Sequence, residues 1–292
     1  MSWDRWAWGG FWCWIWCCYC QSQGVAQTPD AIQDTARRQQ LAQRFHVLAV
    51  QSPGILLPLY VYPDEQGQRV YRTVAAAKQA YPRVPMWVIV NPADGPGRAV
   101  DEQYQAAINR LRAAGCVLLG YVATGYRQRP RHAVQADIQR WRTFYPQVQG
   151  VFFDELEVSD TDEAELHQAE LSRYAQALGY WPLVGNPGTI APQRFFDRDW
   201  LDVIVIHEEA SWPDVALWEK MAKAGIPRFQ RAALIHSDQR PQSLAHIAPQ
   251  CLNHLGWIYV TDDRLQDGTS AGNPWDSLSS NFETLCRLLN AR

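Results

Sequence analysis

Several signatures are missing from this chain of 292 residues, and each absence closes a class of function. No stretch is rich in lysine and arginine. The 27 basic and 30 acidic side chains are interspersed, for a net charge of −3, so the clustered cations that grip phosphates are lacking and no nucleic-acid partner is expected. No HxxxH, HExxH or comparable histidine cluster occurs, and neither a metal nor any other cofactor is expected. The G-x-S-x-G turn that presents a serine nucleophile is lacking too. No internal repeat and no linker interrupts the chain. With 47% hydrophobic residues, a buried core is affordable and disorder is excluded.

Cysteine is scarce outside the N-terminus. Four of the seven cysteines and six of the 14 tryptophans fall within the first 20 residues. From Trp6 to Cys20 there is no charged residue. A membrane span needs about 20 apolar residues, so this run is short for a span and suits the apolar core of a signal peptide. Gly24-Val25-Ala26 then offers a small-x-small cleavage site, which predicts a leader over residues 1–26 and a mature chain beginning near Gln27. The competing reading is a misassigned start. A lipid-modified cysteine is disfavoured, because Cys17 and Cys20 follow Trp16 and Tyr19 rather than a small residue. The expected location is therefore secreted, periplasmic or at the cell surface, with no stable membrane span in the mature protein. Cys116, Cys251 and Cys286 form neither a disulfide framework nor a zinc pattern. Buried thiols are expected, with a Cys251–Cys286 bridge as an open alternative.

What is present is an alternation. After a polar lead-in helix (residues 27–53, helical from roughly Asp30 to Phe45), eight short apolar runs alternate with amphipathic stretches: Gly54–Pro63, Met86–Pro92, Cys116–Thr124, Gly150–Glu155, Trp181–Gly188, Leu201–Glu208, Pro227–Ser237 and Trp257–Asp263. The intervening helices are predicted over Tyr71–Tyr81, Asp101–Ala114, Ala133–Tyr145, Glu163–Leu178, Pro192–Phe196, Val215–Ala224 and Leu244–Leu255, with a last one over Leu278–Leu289. Continuous apolar runs of this length suit strands buried on both faces. Gly115, Gly225 and Gly256 stand between a helix and the next strand, where a C-cap glycine belongs. Eight such units predict an α/β fold, a (β/α)8 TIM barrel forming a single domain over residues 54–292. An open doubly wound sheet is the runner-up, but YVYPDEQG after the first run is not a phosphate loop. A monomer is expected.

In such a barrel the site forms at the C-terminal ends of the strands. The residues closing the runs are Tyr62, Asn91, Thr124, Asp154 with Glu155, Asn186, Glu208 with Glu209, His236, and Asp262 with Asp263. Carboxylates gathered round one lumen cost desolvation and repulsion, which a core avoids unless the site performs chemistry. Two carboxylates across a cleft are what glycoside hydrolysis requires: one protonates the leaving oxygen, and the other attacks the anomeric carbon or activates water. In a regular strand only one of Asp154 and Glu155 can face the lumen; past the strand end both can. Asp160 and Glu163 read as a capping box, and the other acids up to Glu165 as helix-dipole charges. Among Tyr60, Tyr62, Trp87, Tyr126, Trp181 and Trp212, the residues beyond the apolar runs (Tyr62, Tyr126, Trp212) are the better candidates to stack on sugar.

The strings GILLPLYVYP, WVIVNPADGPG, LLGYVATGYRQR, YPQVQGVFFDE, NPGT and DVIVIHE, in this order, resemble the spherulin-4 family from about Gly54 to Asp263. The resemblance implies a (β/α)8 barrel. It also implies a glycoside hydrolase, endo-acting on extracellular polysaccharide that contains α-1,4-linked N-acetylgalactosamine or galactosamine. The family's acidic pair after strand four falls on Asp154 and Glu155, and its strand-six glutamate on Glu208. One departure is His207, where an aromatic residue commonly precedes that glutamate. An α-linked 2-acetamido group lies on the same side as the leaving group and cannot displace it from behind, so a protein carboxylate or water must attack. The expected roles are Asp154 as nucleophile, Glu208 as general acid/base and Glu155 as an orienting neighbour. Tyr62, Asn91, Tyr126, Asn186, His236 and Asp262 are the expected substrate contacts. Seven acids without a lysine or arginine between Asp154 and Glu165 predict attraction for a partly deacetylated, cationic polymer. The alternative is a non-catalytic carbohydrate-binding, matrix or encystment protein on the same barrel.

Overall fold

Each of the eight apolar runs becomes a strand, and the strands close on themselves. The computed structural model describes residues 52–198, 200–240, 243–246, 248–264 and 272–292. The expected leader and the lead-in helix over Asp30–Phe45 lie outside the described residues. The strands are β1 (Gly54–Leu59), β2 (Met86–Val90), β3 (Val117–Ala123), β4 (Gly150–Asp154), β5 (Leu183–Gly185), β6 (Val203–Glu209), β7 (Arg231–Ile235) and β8 (Trp257–Val260). They run parallel in sequential order, and β1 pairs with β8 through Gly54↔Trp257, which closes the barrel.

Between them lie α1 (Gly67–Ala80), α2 (Glu102–Ala113), α3 (Arg131–Phe144), α4 (Asp162–Ala177), α5 (Val215–Lys223), α6 (Ser243–His246), α7 (Ala248–Cys251) and α8 (Phe282–Asn290), with 3₁₀ turns at Gln193–Phe195 and Arg228–Gln230. The expected (β/α)8 barrel is therefore what the chain forms. Strands β1, β2 and β8 are buried along their whole length, as sequences apolar at every position require; β7 is buried throughout as well, with its opening Arg231 donating to backbone carbonyls. Among the described residues, no helix is long and apolar enough to cross a membrane.

Most strands stop short of their apolar runs. β1 ends at Leu59 rather than Pro63 and β8 at Val260 rather than Asp263, leaving the polar run ends free at the barrel mouth. The predicted helix over Leu244–Leu255 is two short helices, α6 and α7. Pro249 has no N–H to donate and fits the first turn of a new helix better than the interior of a long one.

Gly115 and Gly225 take the positive φ of a C-cap, at 94° and 66°, but Gly256 does not. A Cβ there would stand 2.7 Å from the Cα of Phe229, so its role is close approach rather than capping. Cys116, Cys251 and Cys286 are free and buried, so the alternative Cys251–Cys286 bridge is not formed. At the N-terminal end of the barrel, Trp87 stacks on Trp257 with ring centroids 3.6 Å apart. That removes Trp87 from the sugar-stacking candidates. Trp181 goes with it, since it precedes β5 and donates to Asp202 at 3.2 Å.

Candidate active site

The chemistry at the mouth begins with a backbone turn. Asp154 is the last residue of β4, and Glu155, the next, has φ of 53°. A non-glycine residue in the left-handed region is strained and must be held there. The clamp comes from the end of β3: the Thr124 hydroxyl and the Tyr126 N–H donate to the Glu155 carbonyl at 2.6 and 2.7 Å. From the other side, the Leu156 N–H donates to the Asn186 carbonyl and the Asn186 N–H to the Phe153 carbonyl, at 3.0 and 2.8 Å. The strand is thus not regular past Asp154, and the strict alternation that would have sent one of the two acids outward does not apply.

Asn186 follows β5, and its side-chain nitrogen donates twice, to Asp154 Oδ1 at 2.8 Å and to Glu208 Oε2 at 2.6 Å. Those two oxygens are therefore separated by no more than the sum of the two legs, about 5.4 Å. Glu208 reaches this position through an irregularity in β6: Val205 pairs with Ala232 and His207 with Ala233, so Ile206 is extra. A bulge of this kind re-aims the side chains that follow. It falls on the residue before His207, beside the position where the chain departs from the family pattern.

The two carboxyls differ electrically. Burial pushes Glu208 up to about 7, with Asn186 opposing that rise, the Asp154 charge adding to it, and the Trp275 indole opposing it. Burial also raises Asp154, but three donors restrain it: the Tyr121 hydroxyl, the Glu155 N–H and Asn186. One carboxyl is therefore poised to hold a proton near neutrality, while the other, also raised by burial, has three donors that favour its ionised form. This is how paired acids divide acid and nucleophile roles.

The other expected site residues fall into two groups. Tyr126 is half exposed, and its hydroxyl is raised by burial and by the nearby charges of Asp154, Glu155 and Glu208. His236 packs edge-on against Trp275 at 6.1 Å. The polar atoms of the remaining three bond neighbouring residues, while the Tyr62 ring stays half exposed. Tyr62 donates to Asp101 Oδ2 at 3.1 Å and packs on Tyr104, beside the start of α2. Asn91 Oδ1 accepts the Gly95 N–H at 2.8 Å. Asp262 accepts both the N–H and the hydroxyl of Ser280, at 3.0 and 2.6 Å. Trp212 donates to Asp238 at 2.8 Å and lines a pocket of about 280 Å³ with Thr189, Ile190, His207 and Ser211, open to Glu208. The His207 Nε2 meets the Ser211 carbonyl at 2.7 Å. Among the described residues, no three metal-ligating side chains converge.

Three residues at the site were not singled out from the sequence. Tyr121, inside the β3 run, bonds Asp154 and packs against Tyr60, which in turn feels the charges of Asp154 and Glu208. A hydroxyl in an otherwise apolar strand was the available signal. Asp94 takes φ of 49° and its charge reaches both tyrosines. Trp275 comes from the segment after β8 and donates to Glu208 Oε1 at 3.2 Å. No periodicity marks it.

The acid run after β4 is not the open negative surface its composition suggested. Arg194 pairs with Asp160, Asp162 and Glu165, Arg198 with Glu165, and Arg127 with Glu163. The cap of α4 is also displaced by one residue: Thr161, not Asp160, accepts the Ala164 N–H, at 3.2 Å.

With this geometry in hand, comparison with known proteins adds kinship. The model of the family described as Spherulation-specific family 4 matches residues 54–289. Spherulin-4 of Physarum polycephalum is 32% identical over 230 residues, covering 74% of this chain and 66% of its own length, just under two thirds. The crystal structure of Aspergillus clavatus Sph3 in complex with GalNAc superposes with a TM-score of 0.67 at 24% identity, over 83% of this chain and 99% of that one. At that identity the superposition speaks for the barrel alone.

Proposed function

The chain belongs to the spherulation-specific family 4, and from that premise we propose that it is a retaining glycoside hydrolase acting on α-1,4-linked polymers of N-acetylgalactosamine and galactosamine. The observation that carries this reading is the single Asn186 nitrogen shared by Asp154 and Glu208. With one oxygen of each carboxyl on the same donor, those oxygens are at most about 5.4 Å apart, which favours the close pairing of a covalent mechanism, about 5 to 5.5 Å, over the wider gap that admits a water between acid and base.

In the first step, the Asp154 carboxylate attacks the anomeric carbon and the bond from that carbon to the glycosidic oxygen breaks. Glu208 passes its proton to the departing oxygen. In the second step, Glu208, now ionised, takes a proton from water as the water oxygen attacks the same carbon, and the ester to Asp154 breaks. A Glu208 that titrates near 7 can serve both directions close to neutral pH. Tyr121 and the Glu155 N–H stabilise the Asp154 carboxylate as leaving group of the second step. Glu155 supplies neighbouring charge, and Tyr126 offers an exposed ring near the acids.

The polymer is too large to enter a cell, so the proposal places the protein outside it, in keeping with the leader expected from the sequence. The test is incubation of purified protein with a panel of amino-sugar polymers, followed by mass spectrometry of released oligomers. Release from α-1,4-linked N-acetylgalactosamine or galactosamine chains supports the reading. Retention on the polymer without any release of reducing ends identifies a non-catalytic binder instead.

A further inference from the structure

We propose that Trp275 is a positioning residue for Glu208: its indole N–H fixes Oε1 of that glutamate, and its backbone is tied to the residue after β1, so that the contact orienting the acid is anchored on the barrel rim. The inference rests on the reading of Glu208 as the acid/base.

Four observations support it. The indole Nε1 donates to Glu208 Oε1 at 3.2 Å, while the other oxygen accepts from Asn186, so both oxygens of the carboxyl are held. The Trp275 carbonyl accepts the Tyr60 N–H at 2.9 Å, one residue past the end of β1. Its N–H is met by Asn273 Oδ1 at 3.0 Å, which shapes the segment locally. Finally, the ring lies 6% exposed between Tyr259, at 6.0 Å, and His236.

Indole is a donor only. It therefore favours the ionised form of Glu208 and can never take its proton, in contrast to a tyrosine or histidine at the same place. Its removal has a defined sign. The other charged or titratable groups facing Glu208 are Asp154 from β4, Glu209 from β6, Tyr60 after β1 and Tyr126 after β3, with His236 after β7 acting through Trp275. The carboxylates among them push the Glu208 proton affinity up, so loss of the indole donor leaves that push less opposed.

The experiment is the pH profile of kcat/KM for wild type and Trp275→Phe, with tryptophan fluorescence titrated in wild type, Glu208→Gln and Trp275→Phe. Expected for Trp275→Phe is an alkaline limb moved up by about one pH unit, the size of one lost charge-assisted hydrogen bond. Near neutral pH, kcat should fall about tenfold with KM within about threefold. The wild-type fluorescence should show a step near pH 7 that both variants lack. An unmoved limb in a folded Trp275→Phe protein, or a step that persists in Glu208→Gln, overturns the proposal. A fluorescence step that behaves as expected in a protein that cleaves no polymer leaves the contact standing and overturns the hydrolase reading instead.

Discussion

Asp154 and Glu208 sit on strands two apart in the barrel, yet one oxygen of each accepts from the same side-chain nitrogen, at 2.8 and 2.6 Å. That spacing makes a stereochemical prediction. Hydrolysis through a glycosyl ester on Asp154 inverts the anomeric carbon twice, so an α-linked substrate should first yield the α-anomer. Proton NMR during the first minutes of reaction, before mutarotation, reads this directly. A β-anomer as first product would mean that water attacks without an ester.

Glu208 also leaves a mark on stability. Its proton is held more tightly in the folded protein, near 7, than at its ordinary value of 4.5. The stabilisation from this is fully present below about pH 4.5 and is lost as pH rises through 7, amounting to roughly 3 kcal/mol at most. Thermal melts of wild type and Glu208→Gln from pH 4.5 to 8 should show the wild type losing stability relative to the variant across that window. The glutamine amide would face one of two N–H donors, a cost that does not vary with pH, so the slope rather than the offset is diagnostic. Parallel curves would mean that Glu208 ionises at its ordinary value in the folded protein.

Gly150 opens β4, and a Cβ there would stand 2.2 Å from the Pro182 carbonyl oxygen. Both are backbone positions, so a strand must move. Gly150→Ala is expected to cost about 3 kcal/mol and to lower Tm by roughly 6–12 °C for a domain of this size. Activity should fall as well, because Asp154 ends the same strand. Gly179→Ala is the control, since its Cβ would meet nothing within 4 Å and only the positive φ of 84° opposes it; about 1 kcal/mol is expected there. Equal melting shifts for the two variants would contradict the steric account.

The barrel was legible because strands buried on both faces must be apolar throughout, and eight such runs with amphipathic stretches between them leave few other folds. The acid set was legible for the opposite reason: a charge closing an apolar run, as Asp154 and Glu208 do, is costly unless it is used. What could not be read was which neighbours the polar groups closing the runs would bond. Tyr62, Asn91 and Asp262 close their runs as Asp154 does, yet their partners, Asp101, Gly95 and Ser280, lie on loops and helix starts that no periodicity places beside them. Asn186 was expected on the substrate and is found on the acids. Trp275 had no local signal, since its contact with Glu208 spans 67 positions of sequence. The acid run after Asp154 misled because its counter-charge, Arg194, comes from the segment after β5.

The most direct test of the account is hydrolysis of defined α-1,4-linked N-acetylgalactosamine oligomers by wild type, Asp154→Asn and Glu208→Gln, with far-UV circular dichroism showing that all three are folded. Removing either the nucleophile or the acid/base should reduce release of reducing ends by 10²-fold or more, on the order of what positioned acid–base groups contribute, with oligomer binding retained. Either variant within tenfold of wild type would contradict the assignment of these two carboxylates as the catalytic pair.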